Sequence, residues 1–201
     1  MIKTENIKVY NIARAVYSAR NAMNSWDKSD SDLDKDILGE NDLKLAQRLY
    51  KAGTEHRKYL RQIFVSLDIT APLYWISELD TYKIGTTRNS CSFMHKGTSK
   101  PFDLFDFANH SKETNTKLWI ELVEELNRLR DVYLETKDPL VFQEIRDLLP
   151  SGYYQRFTIT MNYENVVNMI HQRSNHRLVE WREFCDILKD LPYIREITDD
   201  R

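Results

Sequence analysis

The chain has 201 residues, 41% hydrophobic and 30% charged, which is typical of a folded globular protein rather than a disordered one. Its net charge of -2 gives no global positive field, so nucleic acid is not an expected partner. No stretch approaches the roughly 18 apolar residues of a membrane helix, and the N-terminus lacks the apolar run of a secretory signal. We therefore expect an intracellular protein without a membrane segment. Cys91 and Cys185 lack metal-ligand spacing and are expected to be reduced thiols.

Five glycines and five prolines are few for this length, which predicts long helices. Apolar residues at steps of three and four predict a first helix within Asn6–Met23, and Asn41 is predicted to cap a second. Between them, residues 24–40 are rich in Ser and Asp and predict a polar loop. The β-branched and aromatic run Ile63–Trp75 predicts a strand, with Pro72 at a sheet edge or a bulge.

The second half is predicted to be mostly helical. Three phenylalanines within Lys100–Asn109 indicate a packing segment rather than a site. The further predicted elements are helices at Lys117–Thr136, Pro139–Leu149, Glu164–Gln172 and Leu178–Leu188 and a strand at Phe157–Met161. No repeat or linker divides the chain, so we expect a single domain over residues 1–201, of the α+β class.

The clearest motif runs from Leu149 to Arg182. Arg173 comes eleven residues after Asn162, and His176, Glu180 and Arg182 follow it. This block resembles the pattern L-P-x-x-x-Y-x-x-F-x-x-T-x-N, then R-x-x-x-H-A-Q-x-E-I-R with one residue fewer, of the flavin-dependent thymidylate synthases, also called the thymidylate synthase complementing protein family. The residues that keep the first spacing are Leu149, Pro150, Tyr154, Phe157, Thr160 and Asn162.

Arg173 and Arg182 are nine residues apart and would not share a face of one continuous helix. They can converge only if a turn at Ser174–His176 separates two helices. The alternative is that both are solvated helix cations. The tryptophans are expected in the core or a subunit interface. For Trp181 the alternative is that its ring forms the base of a pocket that binds an aromatic ring. The four tryptophans are Trp26, Trp75, Trp119 and Trp181.

Two further segments resemble the same family. GTEHRKYLRQIFVSLDITAPLYW is similar to H-x-S-P-F-E-H followed by a strand, with His56 on the first histidine and Arg61 in place of Glu. ISELDTYKIGTTRNSCSFMH is similar to Q-W-x-R-H-R-x-x-S-x-N-E-x-S-x-R-Y. There Thr81-Tyr82-Lys83 replaces R-H-R, and Asn89 and Ser92 are identities.

The resemblance implies a fold with a central antiparallel sheet flanked by long helices, in a divergent member of phage or prophage type. It also implies methylation of deoxyuridylate with FAD and methylenetetrahydrofolate, in the cytoplasm of a bacterial or phage-infected cell. Because the family's sites lie between subunits, it implies a homotetramer.

The resemblance also implies residue roles. Arg182 is expected to be catalytic and to bind substrate together with Arg173 and Ser92. The expected cofactor-binding residues are His56, Tyr82, Lys83, Asn89, Asn162 and His176, and no metal ligand is expected. The replacement of R-H-R leaves an alternative: a catalytically eroded protein of this fold that binds a nucleotide or a host protein, as a phage regulatory or anti-defence factor.

Overall fold

The computed structural model describes residues 2–108 and 116–199. Within them, four strands form an antiparallel sheet in the order β1-β2-β4-β3. The strands are β1 (Lys3–Tyr10), β2 (Phe64–Pro72), β3 (Thr86–Ser90) and β4 (Tyr154–Asn162). The expected α+β fold with an antiparallel sheet is confirmed.

Helices make up most of the remaining described chain. They are α1 (Ile12–Ala19), α2 (Glu40–Lys51), α3 (Leu73–Leu79), α4 (Phe93–Lys96), α5 (Thr116–Thr136), α6 (Pro139–Leu148), α7 (Tyr163–Arg173), α8 (Val179–Lys189) and α9 (Ile194–Thr198). Short 3-10 turns lie at Arg20–Met23, Trp26–Lys28, Lys58–Gln62, Asp80–Tyr82 and Leu104–Asp106. Over residues 2–108 and 116–199, no helix is both long and apolar enough to cross a membrane.

The helix predicted from Asn6 is wrong over its first five residues, which belong to β1. Asn6 and Asn11 take positive φ values of 54° and 70°, which a regular helix does not accommodate. The Asn6 side chain donates a hydrogen bond to Asp68 of β2 at 2.8 Å, so the strand is tied to its neighbour. Within this run, the residues with helical apolar spacing form an α-helix only in α1.

Two predicted positions also need correction. Gly39, not Asn41, occupies the cap position of α2, and the Asp30 carboxylate accepts bonds from the Asn41 and Asp42 amides at 2.8 and 3.1 Å. Pro72 ends β2, an inner strand, rather than marking a sheet edge. The chain turns directly into α3 there because proline suits the start of a helix, so the predicted strand to Trp75 is too long.

Residues 24–40 are largely irregular, as predicted, but they are organised around one buried carboxylate. Asp42 is fully buried and pairs with the guanidinium of Arg20, which is only 6% exposed. Its second oxygen accepts hydrogen bonds from the Ser29 and Ser31 hydroxyls at 2.5 and 2.6 Å. The serines and aspartates of this segment therefore bind each other and the backbone as well as water.

The described chain divides into two compact units that interleave along the sequence. Residues 70–81 and 89–157 belong to unit 1, and residues 2–69, 82–88 and 158–201 to unit 2, which is described as far as residue 199. The division cuts within β2, β3 and β4, so sequence order alone does not reveal it.

The core of unit 1 is rich in aromatic residues. Phe102 and Phe107 are buried in it while Phe105 is 91% exposed, so the predicted packing segment is confirmed for two of its three rings. Asn109, the last residue of that prediction, lies outside the described residues. The buried members of this core are Phe93, Phe102, Phe107, Leu126, Leu129 and Ile145.

The core of unit 2 comes from the sheet and from α7 and α8. The alternation of buried residues along β2 and β4 follows the two-residue period of a strand. Trp181 is fully buried here, whereas Trp26 is 43% exposed and does not belong to the core. Large buried side chains of this unit include Leu67, Ile69, Tyr163, Trp181 and Phe184.

We expect the substitution Asp42→Asn to lower the free energy of unfolding by about 3 kcal/mol, because it leaves the buried Arg20 charge without its counter-ion. Urea denaturation followed by circular dichroism measures this. The matched control is Asp34→Asn on the exposed part of the same segment, which should change stability little. Equal losses in the two variants would contradict the buried-pair account.

The two cysteines are expected to react with a disulfide reagent at very different rates. Cys91 is exposed, whereas Cys185 is fully buried and burial raises the pKa of its thiol, so less thiolate is present at any given pH. At mildly alkaline pH the folded protein should titrate rapidly with one thiol, and both should react in denaturant. Fast reaction of the folded Cys91→Ser variant would disprove the buried placement.

Candidate functional site

In unit 2, Arg173 lies against two aromatic rings. Its guanidinium carbon is 5.0 Å from the centroid of the Trp181 ring and 5.7 Å from that of Tyr82. Arginine over an aromatic face is a favourable arrangement. We call Tyr82, Gln172, Arg173, His176 and Trp181 the Tyr82 cluster. The structure thus joins two of the predicted site residues, Tyr82 and Arg173, that are 91 positions apart.

The break between α7 and α8 that Arg173 and Arg182 required is present. Arg182 donates from Nη1 to the backbone carbonyls of His176 and Arg177 at 2.7 and 3.2 Å, so it braces this turn. The His176 ring accepts a bond from the Leu178 amide at 3.2 Å through Nδ1, and it meets the Trp181 ring edge-on at 6.3 Å. The turn therefore carries contacts to both predicted residues, Arg182 through its backbone carbonyls and His176 through its ring.

Asn162 occupies the cap of α7, where its side-chain oxygen accepts a bond from the Asn165 amide at 3.0 Å. The Asn165 side chain then donates to the Ile84 carbonyl at 2.7 Å and to the Thr86 hydroxyl at 3.0 Å. Gly85 between them has a φ of 73°, and an added Cβ there would lie 2.5 Å from the Asn162 side-chain nitrogen. Only glycine suits this close approach to α7.

Two predicted cofactor-binding residues of unit 2 have no recorded side-chain contact with the Tyr82 cluster in the described chain. Lys83 and His56 are both exposed, with His56 in the turn after α2. Near His56 in sequence, Arg61, which replaces the family's glutamate, forms an ion pair with Glu164 of α7. Glu164 is 8% exposed, and its other oxygen lies 3.6 Å from the Arg57 guanidinium.

Asn89 and Ser92 belong to unit 1 and are exposed. Ser92 lines a hollow of about 310 Å³, together with Lys96, Lys100 and Arg156, and Phe105 lies on its edge. Lys100 is paired with Asp106 at 2.6 Å. The hollow thus combines hydroxyl, cationic and aromatic groups, which is the chemistry that recognises a planar, phosphate-bearing molecule.

Sequence reasoning missed several of these residues. Gln172 and Lys96 belong to no recognised motif, so nothing in the sequence pointed to them. Asn165 also had no sequence signal, because its side chain bonds to Ile84 and Thr86, about eighty residues away. The Thr81 hydroxyl donates a hydrogen bond to the Glu78 carbonyl at 2.7 Å, at the end of α3.

Comparison with known proteins places this chain in a family. The family model described as "Thymidylate synthase complementing protein" matches residues 2–191. Two solved structures of the flavin-dependent thymidylate synthase ThyX from Helicobacter pylori, both complexed with FAD and dUMP, share the fold. One matches with a TM-score of 0.72 at 16% identity, over 99% of this chain and 98% of that one. The other matches with 0.71 at 18% identity, over 100% and 98%.

No match was found among curated protein sequences. The sequence identity to these two structures is too low to transfer function, so the two matches support the fold alone. The family model, in contrast, spans nearly the whole chain and confirms the resemblance found in the three sequence segments. The protein belongs to the thymidylate synthase complementing protein family.

Proposed function

We propose that the protein is a flavin-dependent thymidylate synthase, which methylates deoxyuridylate using FAD and methylenetetrahydrofolate. The observation that carries the proposal is the family match over residues 2–191, together with end-to-end likeness to enzymes solved with FAD and dUMP. This favours an enzyme over the alternative of a catalytically eroded nucleotide- or host-protein-binding factor.

The residues of unit 2 suit an anionic, planar cofactor. Lys83 supplies positive charge, Asn162 supplies an amide, and the Tyr82 ring offers an aromatic surface. We assign His56, Tyr82, Lys83, Asn162 and His176 of this unit, and separately Asn89 of unit 1, to FAD binding. When bound, FAD supplies the hydride chemistry, and the protein supplies binding and orientation.

We assign Arg173 and Arg182 of unit 2, and separately Ser92 of unit 1, to nucleotide binding. Arginine is the natural partner of phosphate and of an imide edge, because its planar guanidinium donates two parallel hydrogen bonds. The cations beside Ser92 support this assignment, since they raise the local concentration of a phosphate-bearing substrate. Arg182 is the proposed catalytic residue, placed to stabilise charge on the reacting base.

We also propose a homotetramer. Apolar side chains on α5 and α6 remain exposed in the single chain, and exposed apolar surface of this kind marks contact sites between proteins. Leu118 is 64% exposed and Leu140 is 73% exposed. Further exposed apolar residues of α5 are Ile120 and Leu134.

The purified protein is expected to be yellow and, when supplied with dUMP, methylenetetrahydrofolate and a reductant, to form thymidylate. The visible spectrum and product chromatography measure the two outcomes. Expression of the gene should also let a thymidine-requiring bacterial strain grow without thymidine. A protein that takes up no FAD from an excess, and that does not support such growth, would overturn the proposal.

The variant Arg182→Gln is expected to weaken dUMP binding by about 10- to 100-fold, because it removes one charge-assisted contact. Because the glutamine amide is shorter and loses the bonds to the carbonyls of His176 and Arg177, the melting temperature of the variant is measured to show that it remains folded. Isothermal titration measures the affinity, with the exposed neighbour changed as Arg177→Gln in the control. Equal affinities in the two variants would remove Arg182 from the nucleotide site.

A further inference from the structure

The Tyr82 cluster fixes Arg173 by more than its ring contacts. The Tyr82 hydroxyl accepts a hydrogen bond from Arg173 Nε at 3.0 Å and donates one to Gln172 Oε1 at 2.8 Å. A phenol has one donor and two acceptor sites, so both bonds form together. Gln172 and Arg173 are consecutive residues at the end of α7, so Tyr82 binds this end of the helix at two points.

The other side of Arg173 is equally defined. Trp181 is fully buried and packs against Phe184 at 6.2 Å between ring centroids. Its ring is therefore a fixed surface against which the Arg173 guanidinium packs. The Tyr82 and Trp181 rings lie 5.9 Å apart at an angle of 56°. The guanidinium is therefore near two ring faces and is hydrogen-bonded through Nε, which gives it one preferred orientation.

Tyr82 is itself held in place. Two and four residues further on, Ile84 and Thr86 receive the side-chain hydrogen bonds of Asn165 from α7. Gly85, between them, lies against the capping residue Asn162. The segment that carries Tyr82 is thus attached to the first turn of α7, while the Tyr82 side chain reaches its last residues.

We propose that Tyr82 is a positioning residue for Arg173, and that it sets the affinity of this site for a phosphate-bearing nucleotide. The inference rests on the proposed function, in which Arg173 binds the nucleotide. A guanidinium that is already oriented loses less conformational freedom when it binds an anion, so the bound state is favoured. Tyr82 takes this role at a position where the family motif carries R-H-R, through a neutral side chain.

A double-mutant cycle with Tyr82→Phe and Arg173→Ala tests this. Phenylalanine keeps the ring and removes both hydroxyl bonds. We expect Tyr82→Phe to raise the dissociation constant for dUMP by about tenfold in the wild-type background. In the Arg173→Ala background it should have no further effect, because its action passes through Arg173. Tyr10→Phe, at a half-exposed tyrosine of β1, is the control.

A second measurement needs no ligand. In the ¹H–¹⁵N spectrum of arginine side chains, assigned with Arg173→Lys, the Arg173 Nε–H signal should exchange slowly in the wild type and quickly in Tyr82→Phe. A purely structural tyrosine would instead lower the melting temperature while leaving dUMP affinity and this signal unchanged. That result, or additive effects in the cycle, would overturn the positioning role.

The outcomes also separate this inference from the proposed function. If the wild-type protein binds no dUMP, the proposed function fails, and the same cycle is measured with pyrophosphate as the probe. A tenfold loss of pyrophosphate affinity that depends on Arg173 would support the positioning role alone. Equal pyrophosphate binding, or equal lack of it, in the wild type and both variants would overturn it.

Discussion

The side-chain amide of Asn165 connects the segment 82–86 to α7, and the candidate site of unit 2 depends on this connection. Its two hydrogen bonds, to Ile84 and Thr86, are local to the first turn of the helix. They hold the segment that carries Tyr82, and the Tyr82 side chain contacts Arg173 about two helical turns further along α7. Each such bond contributes only about 1 kcal/mol, but leaving the partners unpaired costs more. The helix α7 thus carries both Asn165, which binds the segment 82–86, and Arg173, which contacts Tyr82.

Two buried acids of unit 2 are paired with arginines. Glu164 on α7 pairs with Arg61 and lies close to Arg57, and Asp42 on α2 pairs with Arg20. Buried ion pairs recover little net stability, because desolvation offsets their attraction, yet an unpaired buried charge is strongly unfavourable. Their effect is to allow one arrangement of helices and turns and to penalise others. Arg61, which stands where the resembling family motif has glutamate, therefore has Glu164 as its counter-ion.

The residues Thr81-Tyr82-Lys83, which replace R-H-R, differ from that motif in charge and in hydrogen bonding. Thr81 and Tyr82 bring no positive charge, and Lys83 on the same segment is exposed. The cation that lies against Tyr82 is Arg173, from the end of α7. Tyr82 contributes an aromatic face and a hydroxyl that together orient Arg173. In unit 1, Lys96 and Arg156 line the hollow beside Ser92, where Lys100 is paired with Asp106.

Much of the fold could be predicted from local patterns. The helices α5 to α8, the strand at 157–161 and the break between α7 and α8 were predicted from apolar spacing and proline positions. Local patterns failed at β1 and at the end of β2, where helical spacing competed with strand pairing or a proline changed the element. The β3 strand, short and polar, had no clear signal.

The sequence by itself determined the fold class and the family resemblance, and it named Arg173 and Arg182 as candidate site residues. Only the tertiary structure decided that Tyr82 meets Arg173, that Arg61 meets Glu164 and that Asn165 holds the segment around Gly85. These pairs are separated by about eighty to a hundred residues. Periodicity and capping act over a few residues, whereas such contacts arise only when packing of the whole chain brings distant side chains within hydrogen-bond distance.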